Sequence, residues 1–168
     1  MRDFDLDALY AALDAQRQAR GLTWSQLGRE INRQIESAPV RLISVSTITG
    51  MRKRRVIEGD GVLQMLRWLG RAPEEFVPGG AGPVAAPLPV VQQGQILRFD
   101  TAAIYARLDE RRRAQGLTWA QVAREVGGLG AAGLSRLAKG GRTSFPDIIR
   151  IARWLDCTVA TLTHISDW

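Results

Sequence analysis

Two copies of one segment lie in this chain, and the duplication constrains its fold more than any other feature. Residues 4–31 align with residues 99–126 at an offset of 95, and 16 of these 28 positions are identical. The identical positions include the string Gly-Leu-Thr-Trp, which occupies 21–24 and 116–119. Self-similarity of this kind predicts two folding units of the same type rather than one continuous core.

The match resumes near the end of each copy, where Arg67-Trp68-Leu69 corresponds to Arg153-Trp154-Leu155. The offset has fallen from 95 to 86, so the first copy carries nine extra residues. They fall between Ile31 and Ile48, and the two units are therefore expected to differ in that connection.

The segment between the copies has a composition of its own. Residues 77–95 contain four of the seven prolines, four glycines and no charged residue. Such a composition is typical of a partly stiffened linker, whose reach permits the two units to sit apart. We predict a first domain over 1–76, a linker over 77–95 and a second domain over 96–168.

Each copy predicts a series of short helices. An apolar residue followed by an N-cap aspartate opens the first helix, at Phe4-Asp5 and at Phe99-Asp100. A Thr-x-x-Gln capping box opens the second helix, at Thr23 and at Thr118. Apolar residues then recur at helical spacing in both copies.

Beyond the second helix the copies diverge. In the first copy Ile35 continues the apolar face, so we predict a helix through Ile35 that stops before Pro39. Ser44 then caps a third helix, from Val45 to about Arg52. In the second copy a glycine-rich turn leads into a third helix from Ala131 to Lys139. A fourth helix and a short final turn follow in each copy.

Residue types that serve metal sites and covalent catalysis are scarce. With one cysteine, Cys157, and one histidine, His164, neither an intrachain disulfide nor a zinc cluster can form. Because no nucleophile with a neighbouring base is recognisable, we predict no catalytic, cofactor or metal site and no enzyme activity. No apolar run of about 18 residues is present, and the start is too acidic for a signal peptide. We therefore expect no membrane contact and a cytoplasmic, nucleoid-associated location.

The charge balance points to an anionic partner. The chain has 23 Lys and Arg against 17 Asp and Glu, a net charge of +6. The densest basic run, Arg52–Arg55, directly follows the predicted third helix of the first copy, so we expect it to bind phosphate. The run Arg111–Arg113 is interpreted as a solvated face at the end of a helix.

A glycine pattern in the second copy needs an interpretation of its own. Gly128-x-Gly130-x-x-Gly133 formally matches a dinucleotide-binding fingerprint. It follows an amphipathic helix rather than a strand, so we interpret the glycines as turn residues. They leave backbone N–H groups free at a helix N-terminus, where a phosphate can bind.

Two strings in the second copy carry a family resemblance. Gly-Leu-Thr-Trp-Ala-Gln-Val-Ala-Arg-Glu-Val-Gly at 116–127 and Leu-Ser-Arg-Leu-Ala-Lys-Gly at 134–140 resemble the Cro/lambda-repressor-like, or XRE-type, DNA-binding domain. The first copy is similar to it through Gly-Leu-Thr-Trp-Ser-Gln-Leu at 21–27 and Ser-Thr-Ile-Thr at 46–49. The resemblance implies an all-α fold of two tandem lambda-repressor-like helix-turn-helix domains, each of about five short helices, joined by the Pro/Gly linker.

The resemblance also implies which residues contact DNA, because helix three of this family enters the major groove and helix two starts at the phosphate backbone. The residues expected to read base edges are Val45, Ser46, Thr47, Thr49, Ala131, Ala132, Ser135 and Arg136. The residues expected to contact phosphate are Thr23, Trp24, Ser44, Arg52, Lys53, Arg54, Arg55, Thr118, Trp119, Gly130, Lys139 and Arg142. Trp24 and Trp119 stand where many members carry Gln, and packing and phosphate binding both stay open for them.

These features predict a sequence-specific, double-stranded DNA-binding transcriptional regulator of bacterial or phage type that acts as a repressor. The recognition helices differ, so we expect an asymmetric site rather than a perfect palindrome. The alternative is a protein-interaction module that docks on RNA polymerase or another regulator, with one or both units no longer reading DNA. The Ala/Gly-rich third helix of the second copy supports it. Homodimer formation stays open.

Overall fold

The computed structural model describes residues 3–33, 35–38, 40–54, 57–79 and 85–167. The first half contains α1 (Leu6–Ala19), α2 (Trp24–Asn32), α3 (Val45–Thr49), α4 (Gly59–Leu69) and a 3₁₀ turn (Pro73–Phe76). The second half contains β1 (Gln95–Phe99), α5 (Thr101–Ala114), α6 (Trp119–Val126), α7 (Ala131–Ala138), α8 (Phe145–Leu155), a 3₁₀ turn (Val159–Leu162) and β2 (Thr163–Asp167). None of these helices combines the length and the apolar character needed to span a membrane.

The predicted helix starts are confirmed in both halves. Asp5 and Asp100 each accept a hydrogen bond from the backbone N–H three residues on, at 2.9 Å in both cases. Thr23 and Thr118 each form a complete capping box with the glutamine three residues on. These caps satisfy amide groups that a helix N-terminus otherwise leaves without a partner.

The all-α prediction is wrong in one respect, because β1 and β2 pair as an antiparallel two-stranded sheet with Leu97 opposite Ile165. Successive side chains of a strand point to opposite faces, and both Ile96 and Leu97 are buried, at 5% and 0% exposure. Five residues buried on both faces show neither helical spacing nor strict alternation, so periodicity could not reveal this strand.

The second helix of the first half is shorter than predicted. It ends at Asn32 rather than at Ile35, because the Asn32 side chain bonds to the loop that returns toward α3. Its amide donates to the Ile43 carbonyl at 2.8 Å, and its Oδ1 accepts from the Ile43 N–H at 2.9 Å. Ile35 is still buried, at 2% exposure. The predicted stop before Pro39 falls on a residue outside the described part of the chain.

Residues 85–91 of the segment predicted as a linker follow the surface of the first half. Residues 85–90 adopt neither helix nor strand, and residues 87–91 line a groove together with Leu66 and Gly70. Val91 is 7% exposed and joins the core. The reach of the linker permits separated units, but here the two halves pack against each other. The domain limits given above stay a prediction.

The halves meet at one antiparallel backbone bridge between Glu58 and Ser144. The Gly59 N–H donates to the Thr143 carbonyl at 2.9 Å, and the Phe145 N–H donates to the Ile57 carbonyl at 3.0 Å. Positions 58 and 144 are equivalent by the offset of 86, and so are the two donors and the two acceptors. An antiparallel exchange between equivalent residues defines a local pseudo-twofold axis, and the equivalent helices α4 and α8 pack beside it.

Aromatic side chains fill the space around this axis. The Phe145 side chain is 0% exposed, and its ring lies 4.6 Å from that of Phe4 and 5.9 Å from that of Phe99 between centroids. The position equivalent to Phe145 is Gly59, against which the Phe99 ring packs. Apolar side chains from both halves thus form one continuous core.

Replacing Gly59 with alanine should destabilise the protein. A Cβ at this position would lie 2.9 Å from two ring atoms of Phe99 and 3.3 Å from the Thr143 carbonyl oxygen. Overpacking of this kind costs about 1–3 kcal/mol of unfolding free energy, measurable by urea denaturation. Gly61→Ala in the same helix is the control, because nothing lies within 4 Å of its Cβ, and it should stabilise by about 0.4–1 kcal/mol. Equal effects of the two substitutions would contradict this packing.

Glycines shape the turn between α6 and α7. Gly127 and Gly128 have φ values of +74° and +71°, which L-residues with side chains rarely adopt. Leu129 between them and α7 is 4% exposed and anchors the turn in the core. The interpretation as a turn residue is confirmed for Gly128, whereas Gly130 is the N-cap of α7 and Gly133 lies within that helix.

Gly128→Ala should cost more than Gly140→Ala. Both positions have positive φ, +71° and +70°, so both substitutions carry about 1–2 kcal/mol of backbone strain. Only at Gly128 would the new Cβ overlap the Arg150 guanidinium, which pairs with Asp3 and Asp147. Displacing it should add about 1 kcal/mol. Urea unfolding of the two variants measures the difference, and equal losses would show that the Arg150 pairs contribute nothing.

Candidate nucleic-acid interface

An arginine near the end of α1 holds the turn that leads into α2. Arg17 Nη1 donates to the Leu22 carbonyl at 2.7 Å, and its Nε donates to Asp14 Oδ1 at 2.9 Å. The guanidinium lies 4.7 Å above the Trp24 ring, which stacks on Tyr10 at 5.2 Å between centroids. Hydrogen bonding from Arg17 lowers the pKa of Asp14. The first turn of α2 is therefore held against α1 by charge, hydrogen bonds and aromatic stacking.

The second half repeats this arrangement at equivalent positions. Arg112 Nη1 donates to the Leu117 carbonyl at 2.9 Å, and Nε donates to Asp109 at 2.8 Å. The guanidinium lies 5.0 Å from the Trp119 ring, which stacks on Tyr105 at 4.8 Å. Hydrogen bonding from Arg112 lowers the pKa of Asp109. Arg112 therefore positions α6. The interpretation of Arg111–Arg113 as a solvated face did not include this structural role.

A second duplicated contact joins the fourth helix of each half to its second helix. Trp68 Nε1 donates to Glu30 at 2.9 Å, and Trp154 Nε1 donates to Glu125 at 2.8 Å. The hydrogen bond from Trp68 lowers the pKa of Glu30. The arginines that cover these two rings are Arg20 and Arg111.

Trp24 and Trp119, for which packing and phosphate binding were both left open, are packed against neighbouring side chains in the structure. Both indole rings are half-buried and packed as described above. Their Nε1–H groups hydrogen-bond to none of the described residues, so they can still donate to a phosphate. Thr23 and Thr118 are exposed, but their hydroxyls already accept the capping hydrogen bonds. Phosphate contact by these four residues stays a prediction.

Helix α3 packs against the core through Ile48, which is 0% exposed, and carries hydroxyl groups on its outer face. Ser46 and Thr49 are exposed, whereas Val45 and Thr47 are partly buried. Of the four residues predicted to read base edges here, the two exposed ones are the more accessible, and base contact by all four stays a prediction.

The hydroxyls at the start of α3 form a small network. Ser44 Oγ lies 2.9 Å from Ser46 Oγ and 2.8 Å from Thr47 Oγ1, and it caps the Thr47 N–H at 3.1 Å. Thr49 Oγ1 donates to the Val45 carbonyl at 3.0 Å. A hydroxyl that donates internally still has lone pairs, so these groups can accept hydrogen bonds from a base or an ordered water.

Helix α7 presents a different surface. Leu134 and Leu137 bury one face at 6% and 1% exposure, and Gly130 at its N-terminus provides no side-chain cap. The opposite face is exposed and carries mainly small side chains, with one guanidinium. The predicted base-reading residues on that face are Ala131, Ala132, Ser135 and Arg136.

The basic residues after α3 divide into two groups. The prediction that α3 reaches about Arg52 is wrong, since the helix ends at Thr49 and Arg52 lies in the following turn. Arg52 folds back on α1, 3.6 Å from Asp7 and 5.3 Å from the Tyr10 ring. Lys53 and Arg54 are exposed and make no ion pair within the described ranges. Arg55, also predicted to bind phosphate, lies outside those ranges.

The second half places its cations in a similar way. Arg136 and Lys139 are exposed and unpaired among the residues that the structure describes. Lys139 is the equivalent of Lys53. Arg142 instead reaches across to the first half and pairs with Glu58 at 3.2 Å. That pair is exposed, so it is worth about 0.2–1 kcal/mol and leaves Arg142 able to exchange its partner.

Sequence reasoning missed two arginines at the junction of the halves. Arg41 and Arg98 line a groove together with Thr47, Arg54 and Arg142, which brings cations from both halves to one place. Arg98 also lies 3.5 Å from Asp60. Neither residue belongs to a basic run, so only the packing of β1 and of the α2–α3 loop reveals them.

Comparison with known families gives one match, and it lies in the second half of the chain. Residues 108–162 match the helix-turn-helix family model, and this range runs from within α5 through α8 and the 3₁₀ turn that follows. No curated protein and no solved structure matches the chain. The match supports a Cro/lambda-repressor-like helix-turn-helix domain over residues 108–162, a range in which α6 and α7 are consecutive helices.

Proposed function

We propose that this protein is a DNA-binding transcriptional regulator in which both halves read double-stranded DNA. The observation that carries the proposal is the equivalence of α3 and α7. Both helices follow a second helix held by the same arginine and tryptophan contacts. Both are followed by an exposed lysine, Lys53 or Lys139, that forms no ion pair with any described residue.

In this proposal α3 and α7 enter the major groove. Ser46 and Thr49 accept or donate hydrogen bonds at base edges, and Arg136 makes a bidentate contact with guanine. Lys53, Arg54 and Lys139 hold the phosphate backbone, which fixes position without reading sequence. Because the two units are joined, binding of one raises the effective concentration of the other at its site to about the millimolar range.

In the same proposal the protein is a repressor that acts by occupying its operator and has no catalytic activity. Its location is the cytoplasm, in association with the nucleoid. The net charge of +6 supports binding to DNA. The lack of a recognisable nucleophile with a neighbouring general base in the sequence supports a function without catalysis.

The second candidate function is docking on RNA polymerase or another regulator. The exposed alanines of α7 favour it, since Ala131 and Ala132 offer only methyl groups to a DNA base. Salt separates the two functions: DNA binding weakens steeply as salt rises, because phosphate contacts release counterions, whereas docking through uncharged surface does not.

Arg54→Ala should weaken binding to all duplex sequences alike. Loss of one phosphate contact lowers the slope of log affinity against log salt by about 1, which gel-shift titrations at several salt concentrations measure. Arg71→Ala is the charge-matched control, because Arg71 follows the far end of α4, about 15 Å from the bridge by helical rise. Identical slopes for the two variants would remove Arg54 from the interface.

Arg136→Ala should act on sequence preference instead. Its guanidinium is the group on α7 suited to a bidentate base contact, so its loss should cost about 1–3 kcal/mol on the preferred site and relax the preference at one position. Lys139→Ala, three residues on, should weaken all sequences evenly. A binding selection from a random duplex library with each variant tests this. A uniform loss with Arg136→Ala would contradict its role as a reader.

A further inference from the structure

The backbone bridge at Glu58 and Ser144 determines how the two halves are oriented. Each half donates one N–H and accepts one at equivalent positions, Gly59 with Phe145 and Ile57 with Thr143. Such an exchange is produced by rotation of one half by half a turn relative to the other, and not by translation along the chain. At this bridge the two halves are thus related by a local twofold rotation, as the subunits of a symmetric dimer are at their axis.

Both third helices border this axis. One groove contains Thr47 of α3 together with Glu58 and Arg142. A second groove contains Arg136 of α7 together with the same Glu58 and Arg142 and with Ser144. The two grooves meet at the Arg142–Glu58 ion pair, next to the bridge. A half-turn about the bridge therefore exchanges α3 and α7.

Double-stranded DNA has twofold axes of its own, perpendicular to its helix axis, that exchange its two strands. When a protein axis coincides with one of them, the two readers meet the same base order on opposite strands, so the site is an inverted repeat. Readers related by translation would instead meet a direct repeat.

The two readers differ in chemistry. Exposed Ser46 of α3 corresponds to Ala132 of α7, and Gly50, which follows α3, corresponds to Arg136. Ser46 gives α3 a hydroxyl and Arg136 gives α7 a guanidinium, so the two half-sites that these helices read cannot be identical.

We propose that a single chain binds one imperfect inverted repeat, with half-site centres about 10 bp apart, and that no second chain is needed. This inference rests on the proposed function and adds the orientation and inequality of the half-sites. The spacing is one turn of B-DNA, which brings both half-sites to one face of the duplex.

The test begins with a binding selection by the full-length protein from a random-sequence duplex library. The enriched half-sites are then placed in inverted, direct and everted order in duplexes of equal length. We expect the inverted duplex to bind at least about ten-fold more tightly than the other two, since only there can both units engage together. Native mass spectrometry of the inverted duplex should show one chain per duplex.

Ser46→Ala and Arg136→Ala test which half-site is read by α3 and which by α7. Each variant should relax preference in one half-site and leave the other intact, and the two affected half-sites should be opposite ones. Loss confined to the same half-site for both variants would overturn the inference.

The outcomes separate the inference from the function beneath it. Tightest binding to a direct repeat, or two chains on one inverted site, overturns the inference and leaves DNA binding in place. Failure to enrich any duplex at low salt overturns the proposed function and the inference with it.

Discussion

The antiparallel bridge between Glu58 and Ser144 is the contact on which the arrangement of the molecule depends. It lies at the start of both α4 and α8, so it determines how the two helical halves approach each other. Three of the four residues that exchange its hydrogen bonds, Ile57, Gly59 and Phe145, are buried, and the Phe145 ring packs between Phe4 and Phe99. Backbone hydrogen bonds out of reach of water are costly to break without replacement. The halves are therefore packed around one continuous core rather than separated by the linker.

Within each half, a separate set of contacts holds the second helix in place. Arg17 and Arg112 each combine a backbone carbonyl, a carboxylate and an indole face. A planar guanidinium can serve three such partners at once, which an ammonium group cannot do with the same geometry. The third helices are short, five and eight residues, and such lengths are marginal in isolation. They depend on this scaffold and on buried residues such as Ile48 and Leu134.

The sequence predicted the local structure well where side chains act over short distances. The caps at Asp5, Thr23 and Ser44, and those at Asp100 and Thr118, follow from hydrogen bonds within three residues. The early end of α2 could not be predicted, because it depends on Asn32 reaching Ile43 across a loop. In the candidate site, too, features that depend on nearby residues could be predicted and those that depend on distant residues could not. The cations after α3 were predicted from their run and those after α7 from the family resemblance. The position of Arg98 depends instead on pairing of β1 with β2, whose residues lie far apart in the chain.

The two positions beside the axis, 59 and 145, are equivalent but carry a glycine and a phenylalanine. Their surfaces are complementary rather than alike: the smallest residue of one half leaves room for Phe99, and a large ring of the other half fills the centre. Two first halves brought together in the same way would face each other with two glycines and leave a void, and two second halves would crowd two rings into one space. The halves have thus diverged as the subunits of an obligate heterodimer do, and covalent linkage keeps these non-interchangeable partners in equal number.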